Sequence, residues 1–234
     1  MISEDLDLDQ GWSIGEKSFS FLIQEFRANA VRTVVEFGAG RSSVRLALEF
    51  PEAEICSIDH DKPHFEYTAR LKERYAPRSN LHLHLRPLAW QMHAGGLYWS
   101  YDVGPFPRAI DAVIIDGPPG WTRRGREACL YQVIERVLVG GHIYLDDFSR
   151  PGEQQIVLNW KRALHQAFSI RQIEIDHSWC VLEKQGSVTR PSLNFGVAVD
   201  SWEQFLGSIR EGLQGKTPRT AFQPERNPVP KQPR

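Results

Sequence analysis

Three features of the sequence predict an α/β fold wound on both sides of one sheet. Short apolar runs alternate with helix-period segments from residue 15 to residue 184. The first apolar run passes into a helix through a glycine turn, Gly38-Ala39-Gly40. The run IDAVIID (110–116) is apolar on both faces, as a strand central to a parallel sheet must be. The chain has 234 residues, enough for one sizeable domain of this class, and its 41% apolar content suffices for a packed core.

The elements follow in order. GEKSFSFLIQEFRAN (15–29) places Phe19, Leu22, Ile23 and Phe26 at helical spacing. VRTVVEF (31–37) is the first strand, and Ser42 and Ser43 suit the first turn of the helix after the glycines, where hydroxyls satisfy free N–H groups. EICSID (54–59) is the second strand. A helix over 61–75 carries Pro63 near its start. NLHLHL (80–85) alternates with period 2 as a third strand, and IDAVIID is the fourth. A helix is expected over 121–138, ended by Gly140-Gly141, before the strand HIYLDD (142–147). Another helix runs from Pro151 to residue 167, with Trp160 in the core, and SIRQIEI and SWCVLEK form a closing strand pair. Short right-handed connections then leave a Rossmann-like doubly wound, mostly parallel seven-stranded sheet with helices on both faces.

Two stretches interrupt the rhythm. Residues 86–108 form a long aromatic, glycine-rich loop with Trp90, Tyr98, Trp99, Tyr101 and Phe106, read either as functional or as packed back on the sheet. After residue 184 the chain is expected to add an extension, 185–214, with a short helix at 201–213. A basic, proline-rich tail, 215–234, is expected to be disordered. Residues 1–30 are an N-terminal helical segment, and 31–184 the ligand-binding domain.

Bulk properties remove several classes. A net charge of −1 supplies no basic field for nucleic acid. The three cysteines, Cys56, Cys129 and Cys180, are odd in number and widely spaced, which suits a reducing compartment and no zinc site. The acidic start MISEDLDLDQ has no apolar signal region, and no apolar run approaches the ~18 residues of a membrane span. A cytoplasmic protein with a small-molecule substrate is expected, without nucleic acid or membrane, and with association into a homodimer left open.

In open α/β sheets ligands bind at the carboxyl ends of the strands. Here those ends are acidic: Glu36 before the glycine turn, Asp59-His60-Asp61, Asp116, and Asp146-Asp147. A dinucleotide fingerprint asks for a third glycine, where Ser43 stands, and Glu36 would oppose a pyrophosphate. A ligand with positive charge and no phosphate fits better, and S-adenosylmethionine (SAM) is one. Asp59, 19 residues beyond Gly40, is in the region that accepts ribose hydroxyls. A nicotinamide oxidoreductase on the same sheet, and a non-catalytic binding domain of the same fold, are the rival readings.

VVEFGAG, SIDHD, DAVIIDGPPG and GGHIYLDDFSRPGEQQIVLNW, in that order from about Trp12 to Lys184, resemble the class I SAM-dependent methyltransferases, and within them a bacterial subgroup with IDGPPG and LDD motifs. The resemblance implies cofactor-binding roles for Glu36, Gly38, Gly40, Ser42, Ser43, Asp59, His60 and Asp116, with Pro87 and Leu88 near the adenine. It implies O-methylation of a small hydroxylated metabolite or sugar. The chain is also distantly similar to metal-dependent O-methyltransferases, which implies Mg²⁺ held by Asp116, Asp146 and Asp147, the same residues being catalytic. Catechol-type members place a lysine base where this chain has Pro119. Without a metal, Asp146 or Asp147 is the general base, with His93 and His142 as further candidates. Arg150 and Glu153 either bind substrate or pair with each other.

Overall fold

The computed structural model describes residues 4–9, 13–104, 106–165, 167–188 and 191–213. The expected tail, 215–234, lies outside them. Seven strands form one sheet in the order β3-β2-β1-β6-β7-β9-β8. Its parallel half comprises β1 (Thr33–Phe37), β2 (Glu54–Asp59), β3 (Leu81–Leu85), β6 (Ile110–Ile115) and β7 (Val137–Leu145). The strands β8 (Phe168–Glu174) and β9 (Ser178–Lys184) close the edge in antiparallel fashion.

Period-2 alternation divides the core in two. Val34, Ile55, Ala112 and Ile114 face one side, where α1 (Glu16–Ala28), α2 (Arg41–Glu49) and α3 (Lys62–Tyr75) bury Phe19, Leu22, Phe26, Val44, Leu46 and Leu71. Val35, Phe37, Val113 and Ile115 face the other, under α4 (Gly125–Val133), α5 (Pro151–Ala163) and α6 (Phe195–Leu213). Each large side chain so buried contributes roughly 1.5–3 kcal/mol.

On the second side a buried carboxylate ties the layers together. Glu127 of α4 accepts hydrogen bonds from the hydroxyls of Tyr98 (2.9 Å) and Tyr131 (3.0 Å), from Arg124 Nε (2.6 Å) and from Asn159 Nδ2 (3.1 Å). Its carbonyl accepts from Trp160 Nε1 of α5 at 2.9 Å, which places Trp160 in the core as expected. Burial pushes the Glu127 carboxyl up, and the Arg124 charge opposes this. A carboxylate this deep is tolerable only because its acceptor sites are filled.

Three expectations change. The loop 86–108 is largely a hairpin, β4 (Leu88–His93) with β5 (Gly96–Tyr101), turned at Ala94-Gly95 and paired as a separate two-stranded sheet. The helix expected over 121–138 is shorter at both ends, beginning at Gly125 and ending at Val133. Gly140 and Gly141 do not cap it. They belong to β7, where Ile110 pairs with Val137 but Ala112 already pairs with His142, so residues 138–141 bulge outward. Gly140 takes φ +83° there, and Leu138 and Val139, apolar enough to read as helix, are exposed on the bulge. The C-terminal helix starts at Phe195 rather than 201. Asn194 caps it, its Oδ1 accepting from Val197 N at 3.2 Å, which overrides the weak helix propensity of Gly196, Val197 and Val199. Among the described residues no helix is long and apolar enough to cross a membrane.

Candidate active site at the carboxyl edge of the sheet

The glycine turn is locked from both sides. Gly38 N and Ala39 N donate to Ile58 O of β2 (2.9 and 3.1 Å), while Asp116 N and Gly117 N donate to Phe37 O (3.0 and 2.7 Å). Gly38 has φ +108°, and a Cβ there would stand 2.9 Å from Gly117 N. Gly38→Ala is therefore expected to cost about 2–4 kcal/mol of stability from strain and overpacking, read as a lower urea midpoint with an unchanged slope. Gly40 is different: only the ring of His64 comes within 4 Å of its added Cβ. This lip is bounded by one exchangeable side chain.

Glu36 and the two serines turn inward. Glu36 accepts from Ser42 Oγ at 2.9 Å, from Ser57 Oγ at 2.6 Å and from Ser43 Oγ, and Ser43 Oγ also accepts from Gly40 N at 2.9 Å. Burial pushes the Glu36 carboxyl up, against the lowering effect of the three hydroxyls. These residues brace the turn from behind, so any effect of Glu36 on a ligand passes through the turn.

Asp59 ends β2 with its carboxylate half engaged. Oδ1 accepts from Asp61 N at 2.7 Å, and Oδ2 faces His64 Nδ1 at 3.1 Å. A carboxylate has about four acceptor positions, so acceptor capacity remains for a diol. Arg86 N donates to Asp59 O at 2.7 Å, which brings Pro87 and Leu88 alongside. His60 makes edge contacts with Tyr101 (5.9 Å) and Trp121 (6.1 Å), and burial lowers its pKa.

The strand ends of β6 and β7 supply the acids and, among them, a cation. Arg126 of α4 donates from Nε to Pro118 O (3.2 Å) and from Nη1 to Asp146 O (3.3 Å). Its guanidinium lies 3.2 Å from Asp147 Oδ2, 3.5 Å from Asp116 Oδ1 and 3.7 Å from Glu153 Oε1. Burial alone would weaken this cation, but Asp116, Asp147 and Glu153 hold it firmly protonated. Arg150 pairs with Asp147 at 2.7 Å, so Arg150 and Glu153 do not pair with each other. Asp116 is pushed well above the usual carboxyl range by burial, reinforced by Asp146 and opposed by Arg126.

Asp146 is only 2% exposed. Its Oδ2 faces His177 Nδ1 at 3.2 Å, while its Oδ1 is buried with no hydrogen-bond partner among the described residues. His177 sits in the β8–β9 turn, held here because Phe148 N donates to Ser178 O at 2.9 Å and Ser149 N to Ser178 Oγ at 2.5 Å. The hydrogen bond to Asp146 raises the imidazole to about 9. His93 and His142 do not reach this edge: His93 is in the hairpin, bonded to Gln91, and His142 stacks on Tyr144 within β7.

The three aspartates expected to hold Mg²⁺ converge, but not as one open set. Among the described residues, the atoms that lie within 4.8 Å of one another belong to Asp146, Asp147 and His177. Asp116 and Asp147 are bridged by the Arg126 guanidinium, and Asp147 is also held by Arg150. A divalent ion at Asp116, Asp146 and Asp147 would have to displace a buried cation, so the site as folded does not fit it. Arg126, His177 and His64 were absent from the sequence expectations. Arg126 stands in the run Arg123-Arg124-Gly125-Arg126, which does not single it out, and His177 and His64 carry no signal either.

No protein-family model matches the sequence, and no curated protein does. Solved structures do. An O-methyltransferase of tomaymycin synthesis from Streptomyces achromogenes, in complex with SAM, superposes with TM-score 0.60 at 13% identity, over 80% of this chain and 92% of that one. The chain shares its fold. A Bacillus cereus O-methyltransferase in complex with SAH gives 0.57 at 12% identity over 75% and 84% of the two chains. A Podospora anserina methyltransferase bound to SAH gives 0.55 at 13% over 79% and 89%.

Proposed function

We propose that this protein is a SAM-dependent methyltransferase acting on a hydroxyl group of a small metabolite or sugar. The observation that carries the reading is the convergence, at one sheet edge, of the glycine turn, the half-engaged Asp59 and the buried unpartnered Asp146 Oδ1. The SAM and SAH bound in proteins of the same fold support it. SAM supplies an electrophilic methyl group on a sulfonium.

Gly38 and Gly40 let the ligand approach the main chain, and Asp59 accepts from the ribose hydroxyls. Pro87 and Leu88, beside Asp59, offer an apolar edge for the adenine. Asp146 accepts the proton of the acceptor hydroxyl at Oδ1, with His177 fixing the carboxylate through Oδ2. Arg126 holds Asp116 and Asp147 in place and neutralises part of the acidic rim. Methyl transfer is an in-line displacement, for which alignment alone contributes on the order of 7–11 kcal/mol. No step is assigned to Mg²⁺. The three buried unpaired cysteines suit the cytoplasmic location that goes with this reading.

Calorimetric titration with SAM tests the proposal. Micromolar binding is expected, and Asp59→Ala should weaken it roughly 10–150-fold, the loss of hydrogen bonds to a charged group worth about 1.5–3 kcal/mol. Binding of NAD in place of SAM would move the oxidoreductase reading ahead. Unchanged SAM affinity in Asp59→Ala would remove Asp59 from the site.

A further inference from the structure

Helix α6 has two apolar faces, and only one is covered by the described residues. The covered face lies on the hairpin. Ser201 Oγ accepts from Leu97 N (2.8 Å) and donates to Leu97 O (2.5 Å), and Phe205 meets Trp90 edge-on at 5.0 Å. The adjoining flank presents Phe195, Val199, Leu206, Ile209 and the outer part of Trp202, whose Nε1 donates to Gly95 O of the hairpin turn at 3.2 Å, with exposures from 36% at Val199 to 84% at Phe195. Leu193, 81% exposed, extends it just before the helix. A surface helix of a monomer shows one apolar stripe, with polar residues opposite.

The spacing of the exposed stripe is 4-3-4-3, a mean period of 3.5 residues. That period belongs to a seam between two helices that wind around each other. At roughly 180 Å² for a large apolar side chain, the six exposed fractions amount to on the order of 600 Å². A stable interface covers ~800 Å² per partner, of which a little over half is apolar. The stripe is therefore sufficient for one side of such an interface.

We infer that α6 is the dimerisation element of this protein, pairing with α6 of a second copy about a two-fold axis. A second copy presents the same stripe, so the contact is self-complementary and closed. Residues 214–234 are a poorer cover, because Phe222 and Val229 are their only large apolar residues. An anionic membrane is also a poorer partner: within α6, Asp200, Glu203 and Glu211 outnumber Arg210, and membrane-surface helices carry basic polar faces.

Sedimentation velocity of the full chain at about 50 µM is the test, with Leu206→Glu and Ile209→Glu in the seam and Leu48→Glu on the opposite side of the sheet. The wild type and Leu48→Glu should sediment at twice the chain mass of 26.8 kDa. Both seam variants should sediment as monomers, with the dissociation constant raised more than tenfold. Unchanged circular dichroism spectra and SAM titrations in these variants keep misfolding, and failure of the enzymatic reading, distinct from failure of the seam. A monomeric wild type, or seam variants that remain dimeric, overturns the inference. So does co-sedimentation of the wild type with phosphatidylserine–phosphatidylcholine vesicles that the seam variants lack.

Discussion

Asp146→Asn is expected to lower turnover by about 10²–10⁴-fold while leaving SAM affinity nearly unchanged. The substitution keeps the size of the side chain and removes its charge. It strikes the carboxylate that, among the described residues, has a buried oxygen, Oδ1, without a hydrogen-bond partner. Release of S-adenosylhomocysteine in the presence of an accepting hydroxyl compound is the measurement, beside a SAM titration of the same sample. Full turnover with an intact SAM site would take Asp146 out of the chemistry. A second readout needs no acceptor. The His177 imidazole is held near 9 chiefly by its hydrogen bond to Asp146. Its proton NMR titration in Asp146→Asn should fall back toward the ordinary histidine value. Stability should follow with a definite sign. A histidine raised in the folded state contributes stability that is complete below its unfolded pKa, about 6.5, and is lost as pH rises through about 9. The wild-type advantage over Asp146→Asn should therefore shrink across that window.

Much of this architecture was legible because it is written locally. The strands β1, β2, β3 and β6 were legible from short apolar runs, and the turn at Gly38 from a backbone conformation that glycine tolerates best. The acidic ends of four strands followed from the general rule for parallel sheets. What was not legible depends on contacts between distant segments. The bulge at residues 138–141 reads as the end of a helix until the register of β6 against β7 is known. The hairpin within 86–108 has the alternation of strands, but its pairing forms a sheet apart from the main one. His177 reaches Asp146 from 31 residues away, through a turn whose placement depends on the antiparallel pairing of β9 with β7. Glu36 was legible as an unusual acid but not in its task. Ser57, 21 residues on, helps turn it inward to brace the loop.

Arg126→Met should cost about 3–5 kcal/mol of stability, the loss typical of breaking a buried ion pair by removing one partner. Methionine retains much of the aliphatic bulk, so the deficit reports mainly the charge. Without the guanidinium, Asp116, Asp147 and Glu153 face one another, with Arg150 and His177 close to Asp147 as the remaining cations. The pH dependence separates charge from packing. Asp116 is already raised by burial, with Arg126 acting to lower it, so the variant pushes it higher still. A carboxyl raised in the folded state favours folding while protonated, and that contribution is lost as pH rises through its folded value. In the wild type Asp116 stays protonated in the folded state up to about pH 8, so the deficit of Arg126→Met should be flat between pH 4 and 7 and grow as pH rises above about 8, read from urea midpoints at each pH. An equal deficit below and above that value would mean that Arg126 acts by packing alone. The same variant examines the metal question from the protein's side. The guanidinium occupies the place between Asp116 and Asp147 that a divalent ion would need. If that occupancy is what excludes Mg²⁺, millimolar Mg²⁺ should raise the urea midpoint of Arg126→Met at pH 8 and leave the wild type unmoved. An equal rise in both would show that the ion and the arginine do not compete.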